Sequence, residues 1–465
     1  MLKCLANAYA SIVGIVDLLF ERALLPTGIA RRVAISVAED GTLSSVECGA
    51  PESAGTPVPG LALSGMPNLH SHAFQRGIAG ATEIAGAAHS SFWGWREAMY
   101  RFVGRLEPDD AAAIAALVYL EMLEAGYTSV AEFHYLHHQP DGTPYPDTAS
   151  MAAAVRMAAQ RVGIRQVLLP CLYLASDFGP QPPLASQRRF VLETRSFLRL
   201  FEQLKSAASA MHTTGVALHS LRAVPLTAVR EVIAALPAGV PIHIHLSEQQ
   251  REVDACLTFA GRRPIEYLLD SVAIDRHWCL VHATHASPSE LQAVARSQAV
   301  VGLCPTTEAN LGDGIFPLDD FLSAGGRFGI GSDSQVSIDP REELRAAEYA
   351  VRLQKQRRGL SCRGGQEHCG TSLYSLASSG GAQALGFASG ELIAGAAADI
   401  VVIDTDQAQY AGMRDEALLD AHVFAPRPNA VRDVMVAGRW VVRAGRHPQR
   451  EQIIEAYKRA VERVQ

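Results

Sequence analysis

The chain has no CxxC motif, no run of like charge and no apolar stretch near the roughly 18 to 20 residues that a membrane span requires. The last absence excludes a membrane-spanning helix as an organising element. A net charge of −7 argues against a nucleic-acid partner, which would call for a basic face. The eight cysteines are scattered, several of them in strand-like apolar runs, so they read as buried thiols in a reducing cytoplasm and not as a disulfide framework. The first residues, Met1 to Leu19, offer one Lys3 and an apolar run that Asp17 interrupts. They read as an extra segment ahead of the fold and not as a signal peptide.

What is present is ordinary globular material: 465 residues, 48% hydrophobic and 19% charged, enough for a large catalytic domain and a smaller one. From Phe20 to Cys48 the pattern alternates between turn signals, and the same texture returns at Ala398–Asp404 and Val434–Val442. The two chain ends therefore predict one small β-sandwich, built from residues 1–60 and 389–465, the latter ending in a helix. Between them, residues 61–388 show eight candidate strands, around Leu61–Leu69, Ser129–Phe133, Gln166–Leu172, Val216–Leu218, Pro241–Leu246, Cys279–Val281, Val300–Cys304 and Phe328–Gly331. Helical stretches separate most of them, among them Asp109–Ala125, Arg188–Ala207, Arg230–Ala235, Ser287–Ala295 and Glu342–Gln354. Eight strands alternating with helices predict an α/β fold, a (β/α)8 TIM-like barrel, with active groups at the C-terminal strand ends.

Histidines and acids stand where that rule asks for them. His70 and His72 end the first strand, His245 the fifth and His282 the sixth, and Asp333 follows the eighth. A His-x-His pair is weak evidence alone, since about 0.5 such pairs arise by chance in a chain of this composition, and His243 with His245 forms another. Residues i and i+2 of a strand share a face, so both members of either pair can point to the barrel axis. Singly, these residues also read as loop polar groups, a backbone-bonded core histidine and a turn cap. Jointly, His70, His72, His245 and Asp333 would bind one divalent metal. Imidazole nitrogens with a carboxylate suit zinc, with iron and manganese as replacements. Such an ion brings the pKa of a bound water towards about 7.

Glu248 and His282 are left to move protons. Glu248 also admits a plainer reading, with Ser247 as helix N-cap and Gln250 completing a capping box. Between His72 and His245 the sole lysine is Lys205, within a helical segment, so no strand-end lysine is available to bridge two metals, and one ion is expected.

The segments Pro67–Arg76, Glu132–Tyr135, His219–Arg222 and Thr307–Gly314 together resemble the amidohydrolase superfamily in its mononuclear deaminase branch. Within it they resemble the deiminases that act on N-formimino-L-glutamate in bacterial histidine breakdown. The resemblance runs from about residue 20 to 450. It implies hydrolysis of a formimino group to a formyl group with release of ammonia. By position it implies His70, His72, His245 and Asp333 as metal ligands, Glu248 and His282 with Asp333 as catalytic groups, and Gln75, Arg96, Tyr135, His219 and Arg222 as substrate contacts. The chemistry agrees, because a diacid substrate asks for guanidinium forks opposite its carboxylates. Gln335 stands where many relatives have histidine, which leaves the fine shape of the pocket open. The expected setting is a cytoplasmic homodimer with a small-molecule substrate and neither nucleic acid nor membrane as partner. Two rivals remain: a nucleobase or aminotriazine deaminase on the same scaffold, and a metal-free barrel serving as a binding scaffold.

Overall fold

A computed structural model describes residues 16–84, 92–428 and 430–465. The first strands, β1 (Val16–Leu25), β2 (Gly28–Val37), β3 (Leu43–Glu47) and β4 (Thr56–Ser64), lie in one sheet. Nine strands form a second: β5 (Met66–Ser71), β6 (Tyr127–His134), β7 (Arg165–Leu172), β8 (His212–Thr214), β9 (Val216–Ser220), β10 (Ile242–Leu246), β11 (Trp278–His282), β12 (Val300–Leu303) and β13 (Arg327–Ile330). The chain then returns to the first sheet with β14 (Ile400–Ile403), β15 (Val431–Val436) and β16 (Arg439–Val442).

The second sheet closes on itself. Its strands pair in parallel from β5 through β13, and β13 and β6 both pair with β5, so eight strands make a ring with the short β8 flanking β7. This is the (β/α)8 TIM-like barrel. β6 and β7 are buried at every position, as strands are when helices cover one face and the barrel core the other. The helix Pro108–Ala125 shows how local signals set the wrapping. Pro108 stands at its first turn, the Glu107 N–H donates to Asp110 Oδ2 at 3.1 Å, and Gly126 stops it in the left-handed region at φ 103°.

The first sheet runs β16-β15-β14-β4-β1-β2-β3 and gathers strands from both chain ends around an apolar cluster that includes Phe20, Ile35 and Val402. A buried ion pair ties it to the barrel: Arg165 donates to both oxygens of Asp399 at 3.1 Å, and Asp399 also accepts from the Ala437 N–H.

Three sequence expectations need correction. The single strand expected at Leu61–Leu69 is two, because Gly65 separates β4 in one sheet from β5 in the other. A Cβ at Gly65 would collide with the Thr128 side chain, so the crossing demands glycine. The helix expected from Arg188 begins only at Thr194. The backbone before it is committed elsewhere, with Arg189 O accepting from the His137 and His138 N–H groups and Leu192 N–H donating to Tyr173. Val16–Leu19, expected ahead of the fold, is part of β1; residues 1–15 lie outside those described. All seven described cysteines are free thiols, and five are buried, with Cys48 exposed and Cys362 partly so.

The helix Cys369–Leu385 packs on β13 and β5 through Gly380 and Gly381, where a Cβ at Gly380 would overlap the Phe328 carbonyl. Gly380→Ala is therefore expected to destabilise the fold by about 2–3 kcal/mol, seen as a lower thermal unfolding temperature. An unchanged temperature would contradict this close approach.

Candidate active site

The site is built at the C-terminal mouth of the barrel. There β5 and β13 are stitched together: His70 O accepts from the Ser332 and Asp333 N–H groups at 3.1 and 3.0 Å, and His72 N–H donates to Asp333 O at 3.0 Å. Glu132, at the end of β6, holds the same segment from the other side. It accepts from Ser71 Oγ at 2.7 Å and from the Ala73 N–H at 2.8 Å. Among the described residues, ten non-glycine residues have positive φ, and five of them (Ser247, His282, Ala283, Asp333 and Gln335) stand at this mouth. Left-handed backbone outside glycine is costly, and its concentration here marks where packing overrides local preference.

Three imidazoles and one carboxylate converge. His70 Nε2 lies 3.1 Å from His245 Nε2 and 3.4 Å from Asp333 Oδ1, while His72 Nε2 lies 3.3 Å from His245 Nε2 and 3.5 Å from Asp333 Oδ1. His72 Nδ1 is 2.8 Å from Phe133 O, and His245 Nδ1 is 2.8 Å from His219 O. A carbonyl only accepts, so both Nδ1 atoms carry the ring proton and both Nε2 atoms present lone pairs. No hydrogen bond is possible between two lone pairs at 3.3 Å. The edge of a tetrahedron of ligands about 2.0–2.1 Å from a central ion is roughly 3.3 Å. The donor set thus fits one divalent metal in both spacing and protonation.

The proton-moving candidates stand beside it. His282 Nε2 lies 3.7 Å from Glu248 Oε1 and 3.8 Å from Asp333 Oδ2, while its Nδ1 lies 3.2 Å from Glu308 Oε1. Glu248 is not in a helix. The next helix starts at Gln250 with Gln249 as cap, Ser247 Oγ caps nothing, and the N–H groups of Ser247 and Glu248 donate to Glu252 at 3.2 and 3.1 Å. The capping-box reading of this segment therefore fails, because Glu252 takes those donors.

Burial shapes the electrostatics. It raises the Glu248 carboxyl to about 7, partly offset by His282. It lowers His70 to about 3 and holds His72 and His245 below their ordinary value. Burial alone would lower His282 too, but Glu248, Glu308 and Asp333 together raise it to about 10. Asp333 is held well below the carboxylate range: burial opposes this, and His70, His72 and His282 prevail.

Above the cluster opens a cavity lined by His72, His245, Glu248, His282 and Asp333 and also by Gln75, Arg96, Tyr135, His219 and Arg222. Gln75 Nε2 donates to Tyr135 Oη at 2.9 Å, and Gln75 Oε1 is buried without a protein partner. Burial lowers the pKa of Arg96, in the helix Phe92–Val103; Tyr100 opposes the shift and Arg222 adds to it. The cavity also holds residues that sequence reasoning did not single out: Trp95, Tyr100, Tyr173, Phe190 and Leu311. Of these, Tyr100 and Trp95 flank Arg96 in sequence, which is the one available signal. Gln335 does not line the cavity. It lies beneath it, donating to Ser71 Oγ at 3.0 Å and Asp333 O at 2.7 Å. His243 bonds to Ala384 O, away from the cluster, and Lys205 pairs with Glu202 on an exposed helix surface.

A closed parallel barrel with a histidine–aspartate cluster at its mouth, a buried glutamate beside it and a cavity above defines a metal-dependent hydrolase. The chain belongs to the amidohydrolase family, whose sequence profile matches residues 58–441. It is 50% identical to the formimidoylglutamate deiminase of Pseudomonas aeruginosa over 438 residues, 94% of this chain and 97% of that one. It is 27% identical to a 5-methylthioadenosine/S-adenosylhomocysteine deaminase of Natronomonas pharaonis, over 90% of this chain and 86% of that one. The crystal structure of an amidohydrolase from Brucella melitensis superposes with a TM-score of 0.90 at 40% identity, covering 97% of this chain and 99% of that one.

Burial of neutral histidines sets a pH dependence. His70, His134 and His243 are lowered by burial to about 3, 3 and 4. Unfolded, each would bind a proton near about 6.5. The unfolded chain therefore takes up more protons below that pH, and stability present above it is lost as pH falls, by up to about 1.4 kcal/mol per pH unit per histidine. The urea midpoint of the metal-free protein is expected to be markedly lower at pH 5.5 than at pH 7. Equal midpoints would contradict the neutral, buried state of these rings.

Proposed function

We infer that this protein hydrolyses N-formimino-L-glutamate to N-formyl-L-glutamate and ammonia, a step of histidine degradation, at the mouth of the barrel. The observation that carries the reading is one cavity in which Glu248 and the histidine–aspartate cluster face two guanidinium groups, Arg96 and Arg222. The near full-length identity to a formimidoylglutamate deiminase supports it. A flat, uncharged nucleobase brings no carboxylate to these guanidiniums, whereas a dicarboxylate brings two.

His70, His72, His245 and Asp333 are the proposed ligands of one ion, zinc by its donor set. When bound, it would supply the Lewis acidity that makes water acidic enough to attack at neutral pH. Arg222 and Arg96 grip the two carboxylates, with Tyr135, Gln75 and His219 fixing the formimino end. Gln75 suits this because its Oε1 is free to accept from an amidine N–H.

In the reaction the water oxygen bonds to the formimino carbon, and the bond from that carbon to the terminal nitrogen breaks. Counted from the neutral amidine, both water protons end on the departing nitrogen, which leaves as ammonia with the former C–N electron pair. Glu248 carries a proton from water to nitrogen. A carboxyl near 7 exists in both forms at neutral pH and suits giving as well as taking. Asp333 and His282 orient the water and stabilise the adduct as the carbon becomes tetrahedral.

The setting proposed is cytoplasmic, supported by the free thiols. Among the described residues no helix is long and apolar enough to cross a membrane. A homodimer is the proposed assembly. Leu353, 80% exposed, and Tyr349, 40% exposed, stand one turn apart on the helix Pro340–Lys355 and give it an apolar face.

Glu248→Gln is expected to lower kcat by about 10²–10⁴-fold while the metal content of the purified protein stays unchanged; near-normal turnover would remove Glu248 from the reaction. Arg222→Met is expected to raise KM for formiminoglutamate by about 10–100-fold, the worth of a charge-assisted hydrogen-bonded pair. Ammonia release measured on formiminoglutamate, guanine and adenosine in parallel separates the readings, since faster release from either purine would favour the nucleobase deaminase.

A further inference from the structure

Resting on the reading above, we propose that Glu308 is a positioning residue for the reaction: it fixes the ring proton of His282 on Nδ1, so that Nε2 is presented between Glu248 and Asp333. The argument begins with the strand end. His282 is the last residue of β11, and its backbone is left-handed at φ 67°, which aims the ring across the mouth of the barrel. The ring is buried, and a carboxylate faces each of its nitrogens. Glu308 Oε1 lies 3.2 Å from Nδ1, whereas Glu248 and Asp333 lie 3.7 and 3.8 Å from Nε2.

Glu308 is itself held. It sits in the helix Pro305–Leu311 that follows β12, its side chain is 6% exposed, and Oε1 also accepts from the Cys304 N–H at 2.9 Å. Oε1 already accepts from a backbone N–H, and in the same role towards His282 it leaves the proton of that contact on Nδ1. A ring carrying its only proton on Nε2 would set two lone pairs against each other at Nδ1. Glu308 thus holds the Nδ1 side of the ring and turns Nε2 towards Glu248 and Asp333. The other charged or titratable groups acting on His282 are Glu252 and Asp313 on the acid side and the rings of His70, His72 and His245. None of them is within hydrogen-bond reach of Nδ1, so Glu308 has no substitute there.

The test uses metal-loaded protein with ¹⁵N-labelled histidine, His282 being assigned by comparison with His282→Asn. In the wild type the ¹⁵N shifts are expected to show the proton on Nδ1. Glu308→Leu, which removes the acceptor, is expected to lose that signature and to lower kcat by about 10²-fold or more, with KM and metal content close to wild type. Glu308→Gln keeps an acceptor oxygen and is expected to retain the Nδ1 signature and stay within about tenfold of the wild-type kcat. A wild-type His282 protonated on Nε2 alone would overturn the proposal. So would a Glu308→Leu protein that keeps the Nδ1 proton or turns over within twofold of wild type. Should Glu308→Leu not fold, the wild-type and Glu308→Gln spectra decide the same question. The spectra require no substrate. If the wild type releases no ammonia from formiminoglutamate while the Nδ1 signature stands, the substrate assignment fails and the positioning role survives.

Discussion

Lone pairs held face to face are the constraint around which the barrel mouth is organised. His70 and His72 place their Nε2 atoms 3.1 and 3.3 Å from that of His245, with no proton available between His72 and His245. In that arrangement the lone pairs of His72 and His245 gain nothing from each other, whereas a cation between them would satisfy both. The surrounding structure shows what it takes to hold it. Three different strand ends contribute, β5 is bonded to the residues that follow β13, and half of the left-handed non-glycine backbone among the described residues is spent at this one rim. The geometry is imposed from outside the cluster.

Those outer groups follow one logic. His72, His245 and His282 are each bonded on the far side of the ring by an oxygen that accepts. Phe133 O and His219 O set the tautomers of His72 and His245, and Glu308 takes the far nitrogen of His282. Glu248 is held through its backbone, with Glu252 accepting from its N–H. Glu132 accepts from Ser71 and Ala73 while Gln335 donates to Ser71 Oγ and the Asp333 carbonyl, and the two together hold the segment around His72 and Asp333. The acceptors come from neighbouring strands or the turns after them, so the ring of strands positions ligands and their supports together.

Much of this was legible in the sequence because it is periodic or local. Strand–helix alternation gave the barrel, and polar residues ending apolar runs picked out His70, His72, His245, His282 and Asp333, which the structure brings together. What escaped depends on contacts between distant segments. Gly65 ends one strand and begins another because two sheets diverge there, yet its neighbours are as apolar as a strand interior. Ser247 resembled a helix cap in every local respect, and only the approach of the Glu252 carboxylate from the following turn diverts its N–H. Glu308 and Glu252 look like helix-surface acids in sequence, since their burial is decided by what packs over them. Gln335, whose bearing on the shape of the pocket the sequence left open, lies beneath the floor, because its amide is consumed by Ser71 and the Asp333 carbonyl.

One connection reaches further than its single residue suggests. β4 ends at Ser64 and β5 begins at Met66, so the strand that delivers two ligands of the proposed ion is, one peptide earlier, an interior strand of the peripheral sheet. The far end of that sheet is drawn from the C-terminal segment of the chain. Tension or loosening in the outlying sheet is therefore transmitted along the main chain directly to His70 and His72, without passing through side-chain packing. The appendage acts as an anchor point for the reaction centre, and the C-terminal segment, which contributes no residue to the cavity, helps determine whether the centre holds its shape.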